Sequence, residues 1–104
     1  MSKFEEREKS FENKFAKDQE LQFKVNARRN KYLAEWVCVK LGKNDEQKQN
    51  YTQEIIKADM EEAGDEDVFR KVKKDFENSA INIDDSEIRS QMSLALDRAK
   101  KDFI

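Results

Sequence analysis

Six carboxylates crowd into residues 59–67 of this 104-residue chain: Asp59, Glu61, Glu62, Asp65, Glu66 and Asp67. Clustered carboxylates are the chemistry of Ca²⁺ or Mg²⁺ binding. An EF-hand loop, however, alternates its ligands, turns on a central glycine and ends on a glutamate, and this stretch has no such order. Asp65, Glu66 and Asp67 fit instead the start of a helix, where the backbone dipoles favour negative charge. No metal and no cofactor is expected. A second cluster is cationic: Lys24, Arg28, Arg29 and Lys31, interleaved with Phe23 and Tyr32. Those groups suit phosphate or the acidic side chains of another protein. The plainer reading is a solvated helix face whose arginine stems cover the edge of a core. Cys38 stands between two valines with no base beside it, and reads as a small buried hydrophobe rather than a nucleophile.

The missing residue types narrow the function further. With no His there is no imidazole base, no Ser-His or Cys-His pair and no Glu-x-x-His di-metal motif. One Cys makes neither an internal disulfide nor a zinc half-site, and two isolated glycines, Gly42 and Gly64, make no phosphate loop. Lys and Arg number 21 against 23 Asp and Glu, a net charge of −2, so the short basic run does not point to nucleic acid. The longest strictly apolar run, Trp36–Val39, is far short of a membrane span. The start, MSKFEEREKSF, lacks the apolar stretch of a signal peptide. The expectation is a soluble cytoplasmic protein of one domain's length, not an enzyme, with no direct membrane insertion.

The elements that must position these residues are helices. Strand patterns are nearly absent, and Val37-Cys38-Val39 lies inside a run of helical period. The first helix is expected from about Lys3 to Leu41, stopped by Gly42. Asn44 or Asp45 caps a second that reaches Ala63, Gly64 closes it, and Asp65 caps a third from Glu66 to about Asn78. Phe69, Val72 and Phe76 line one face of that third helix. After a loop at Ser79–Ile83, Asp84 and Glu87 resemble a capping box for a fourth helix bearing Ile88, Met92, Ala95, Ala99 and Phe103. The fold expected is all-α, a four-helix bundle with a long first helix.

The first helix divides into two parts. Phe4, Phe11 and Phe15 fall on one narrow line, with polar or charged residues between them. So sparse a stripe holds weakly to a core, and an isolated helix of that length is marginal in water. From Leu21 onward the apolar set widens. Two units are therefore expected: an N-terminal arm at 1–19, mobile when free, and a bundle at 20–104. Two readings of the stripe stand side by side. It either folds back onto the bundle or orders on a partner and lays its rings into a groove. Charge divides as well, with 12 basic and 9 acidic residues in 1–52 against 9 and 14 in 53–104.

The string FEEREKSFENKFAKDQELQFKVNARRNKYLAEW at Phe4–Trp36 resembles the start of the ATPase inhibitor zeta subunit family of alphaproteobacterial ATP synthases. IIKADMEEAGDEDVFRKVKKD at Ile55–Asp75 resembles that family's middle. The resemblance implies a four-helix protein, cytoplasmic and peripheral to the inner membrane, that binds the catalytic head of the rotary ATP synthase and blocks ATP hydrolysis. It implies that the N-terminal segment enters a catalytic α/β interface against the γ stalk. Carried onto this chain, Phe4, Phe11 and Phe15 would be apolar anchors, and Glu5, Arg7, Glu12 and Lys14 polar contacts. Gln22, Phe23, Arg28, Arg29, Asn30 and Lys31 would continue the helix out of the interface. The alternative is a small nucleotide-binding or adaptor module, with Arg28, Arg29 and Lys31 receiving phosphate in weak nucleotide binding.

Overall fold

The structure, a computed structural model, describes residues 13–61 and 64–104. Four helices carry the fold: α1 (Gln19–Leu41), α2 (Asp45–Asp59), α3 (Glu66–Asn78) and α4 (Asp85–Lys101). Among the described residues there is no strand. α1 packs against both α2 and α4, and α3 closes the bundle by packing against the same two.

The apolar spacing of each helix becomes one face of a shared core. Leu33, Ala34, Val37 and Cys38 of α1 meet Tyr51 and Ile55 of α2, Val68, Phe69, Val72 and Phe76 of α3, and Ile88, Met92 and Ala95 of α4. Trp36 sets its ring edge-on to Phe76 at 5.5 Å between centroids. Each fully buried Val, Leu, Ile or Phe among them contributes roughly 1.5–3 kcal/mol relative to exposure. A second, smaller cluster lies toward the other end of α1. Val25 and Ala99 form it, with Phe15, Leu21, Tyr32, Leu96, Phe103 and Ile104 packed around them.

Helix ends follow the expected residues in part. Gly42 stops α1 at φ +71°, in the left-handed region. Asn44 caps α2 in a full capping box: its side chain accepts from the Gln47 amide at 2.8 Å, and Gln47 Oε1 accepts from the Asn44 amide at 2.9 Å. The box expected at Asp84 does not form. Asp84 has cap-like backbone, but its side chain makes no cap bond. Asp65 also stands at the start of α3 without capping it by its side chain; its backbone is right-handed at φ −102°, ψ 0° rather than extended, and its carboxylate accepts from Arg29 instead. α2 ends at Asp59, short of Ala63; Glu62 and Ala63 lie outside the described residues.

The long first helix is interrupted. Residues 13–17 are helical, but Asp18 leaves helical geometry at φ −101°, ψ 104° and caps α1, accepting from the Leu21 amide at 3.2 Å. An aspartate at such a position competes for backbone amides and favours a new helix start. The expected mobility of the arm falls largely on residues 1–12, which lie outside the described residues.

Candidate partner-binding surface

The site is assembled around the N-terminal half of α1 and the short segment before it. At the break, the Gln22 side-chain amide donates to the carbonyls of Phe15 at 2.8 Å and Ala16 at 3.1 Å. In an unbroken helix those carbonyls would accept from the amides of residues 19 and 20. One side chain therefore satisfies two of the carbonyls freed by the bend. Beyond the bend, Phe15 is half-buried against the Val25 and Ala99 cluster, and Lys100 Nζ lies 4.9 Å from its ring centroid. At this residue the stripe folds back onto the bundle. Phe4, Glu5, Arg7, Phe11 and Glu12 lie outside the described residues, and Lys14 is exposed.

The basic run does not form one surface. Arg28 reaches Asp102 at 3.2 Å and stacks over Phe103 at 5.7 Å. Arg29, one residue on and rotated by about 100° around the helix, is only 1% exposed. Its Nη2 donates to Asp59 at 3.2 Å, its Nη1 to Asp65 at 3.0 Å and its Nε to Asn30 Oδ1 at 2.7 Å. Asn30 is equally buried and donates to the other oxygen of Asp59 at 3.1 Å. A buried guanidinium is tolerated only when its donors are filled in this way. Arg29 and Asn30 thus tie α1 to the end of α2 and the start of α3, and neither is an outward contact in this fold. Lys31 is exposed, and Phe23 is 60% exposed.

Pairing of the same kind accounts for four of the six crowded carboxylates. Asp59 and Asp65 take Arg29, Asp67 takes Arg70, and Glu66 takes a two-pronged bond from Arg89 at 3.1 and 3.2 Å. The Arg89 hydrogen bond holds the Glu66 carboxyl below the usual carboxylate range. Among the described residues no group of three or more His, Cys, Asp or Glu is arranged to hold a metal ion.

Two apolar features escaped the sequence reading. Met60 is exposed beside Phe23, and the two border a shallow groove of about 190 Å³ with Ala27 and Ile56. Val39 and Leu94 are exposed along a groove of about 370 Å³ between α1 and α4. Phe103 was legible as the last member of the α4 stripe; that Phe15 packs on the same cluster was not.

Comparison with known proteins bears on this surface. A family profile described as ATPase inhibitor subunit zeta matches residues 1–102. A solution NMR structure is 40% identical, with the similarity covering 80% of this chain and 94% of that one, at a TM-score of 0.71. No curated protein matches.

Proposed function

Because this chain belongs to the ATPase inhibitor subunit zeta family, we propose that it inhibits the rotary ATP synthase by inserting its N-terminal segment, residues 1–19, at a catalytic α/β interface against the γ subunit. The observation that carries this reading is the family match, which spans the inhibitory segment and the bundle together. The protein's role is obstruction, not catalysis, at a cytoplasmic, peripheral position. Among the described residues no helix is long and apolar enough to cross a membrane.

In this reading Phe4, Phe11 and Phe15 supply the apolar surface of the inserted helix, and Glu5, Arg7, Glu12 and Lys14 pair with charged groups along the groove. Gln22, Phe23, Arg28 and Lys31 carry the helix outward. Arg29 and Asn30 serve it indirectly, fixing α1 to the rest of the bundle. A helix wedged between subunits that must open and close blocks turnover when it binds one rotary state better than the next. Ordering the segment costs conformational entropy, which the buried rings and desolvated ion pairs offset. The nucleotide alternative has less support, since Arg28 and Arg29 diverge and each nitrogen of the buried Arg29 guanidinium already donates within the bundle.

The test is steady-state ATP hydrolysis by the matching catalytic head, with the full chain added or a form lacking residues 1–18. The full chain is expected to suppress hydrolysis in a concentration-dependent way, and the truncated form to leave it near the uninhibited rate. Unchanged hydrolysis with both would overturn the proposal.

A further inference from the structure

We propose that residues 13–18 form an autoinhibitory latch, in which Phe15 is parked on the C-terminal end of the bundle and must leave that seat before the arm and α1 join into one helix. The proposal rests on the function given above.

Three observations converge on it. The Asp18 cap bends the chain between the helical residues 13–17 and α1. The Gln22 amide fills the carbonyls of Phe15 and Ala16, so the bend leaves those groups satisfied. Phe15 is half-buried on the Val25 and Ala99 cluster, where Phe103 and Ile104 also pack. A straight helix has a different geometry. At 1.5 Å per residue it carries position 15 about 15 Å along the axis from Val25, so the present seat depends on the bend. It also needs the Phe15 and Ala16 carbonyls for backbone amides, which displaces Gln22. The bent, docked chain and the straight helix are therefore alternative states, and a partner that accepts the straight form binds only the fraction of molecules that has released Phe15. The last residues of the chain belong to the same device. Asp102 bonds Arg28 and Tyr32, which draws Phe103 down onto α1 beside the arm.

Two full-length variants test this. Asp18→Ala removes the cap that stabilises the bend, and Phe103→Ala thins the seat without touching the arm. In the free chain, wild type is expected to give NMR contacts between the Phe15 ring and methyl groups of Val25, Ala99 or Ile104, and both variants to weaken them. Against the catalytic head, each variant is expected to inhibit hydrolysis at roughly three- to tenfold lower concentration, the size of effect that loss of one cap or one docked ring has on the released fraction. Inhibition by the variants alone would also support the latch. Absence of the Phe15 contacts in wild type would overturn it. So would variants that release Phe15 yet inhibit at the wild-type concentration, a result that leaves the inhibitory function standing. If neither wild type nor variants bind the head, that function fails, and the latch's role in engagement fails with it. Thermal unfolding of Asp18→Ala, whose mutation lies outside the core, separates release of the arm from loss of the fold.

Discussion

Asp59 and Asp65 both bind Arg29, but they are not equivalent. The Asp59 side chain is 19% exposed and accepts from Arg29 and Asn30 together, whereas that of Asp65 is 55% exposed and accepts from Arg29 alone. Asp59→Ala strands a buried guanidinium and a buried amide, and is expected to cost about 3 kcal/mol in urea unfolding. Asp65→Ala, at a site water already reaches, is expected to cost about 1 kcal/mol. Tyr51 gives a pH dependence of known sign. Burial, and then the bond from its hydroxyl to Asp75 at 2.7 Å, push its ionisation above the ordinary value of 10.0. The folded chain thus keeps a proton that the unfolded chain gives up. Its contribution is full below the ordinary value and declines as pH rises past it. Unfolding measured from about pH 8 to about pH 11 should show wild type losing stability more steeply than Tyr51→Phe at the alkaline end. Single residues were unevenly legible in the sequence. Cys38 between two valines announces its burial. Arg28-Arg29-Asn30 gives no sign of which guanidinium turns inward, because the carboxylates that decide it lie about thirty residues downstream.

Two helices end in the same backbone motif with different residues at its left-handed position. At the end of α1 the Lys43 amide reaches back to the Cys38 carbonyl at 3.0 Å and the Gly42 amide to Val39 at 3.3 Å. At the end of α3 the Ile81 amide reaches Phe76 at 2.9 Å and the Ala80 amide reaches Glu77 at 3.1 Å. Gly42 has φ +71° and Ala80 φ +56°. A Cβ at Gly42 would meet nothing within 4 Å, so Gly42→Ala carries only the conformational penalty, about 1 kcal/mol of stability. Ala80→Gly relieves that penalty and is expected to gain about 0.5 kcal/mol, less than the converse because glycine loosens the unfolded chain. Chemical denaturation of both variants reads the opposite signs. The Gly42 stop and the Asn44 cap are legible because their chemistry is local. The Asp18 break is harder to read: its cap bond to the Leu21 amide is local, but the Phe15 ring beside it packs on a cluster that includes Ala99, more than eighty residues away.

Across the whole molecule the charge asymmetry becomes internal structure. The basic half and the acidic half meet through Arg28 with Asp102 and Arg29 with Asp59 and Asp65, pairings that fasten α1 at both flanks. Composition announced an all-α bundle because four apolar stripes of helical period leave no other way to bury themselves. The partner surface was only half legible, since sequence shows which side chains are sticky or charged but not which of them the fold itself consumes. Cys38 adds something of a different kind. It is the chain's single sulfhydryl, sealed in the core, and burial pushes its ionisation above the ordinary thiol value. A reagent reaches it only when the helices part, so its rate of modification counts openings of the bundle. That makes it a built-in clock at the C-terminal end of α1, keeping time separately from the hinge at the other end.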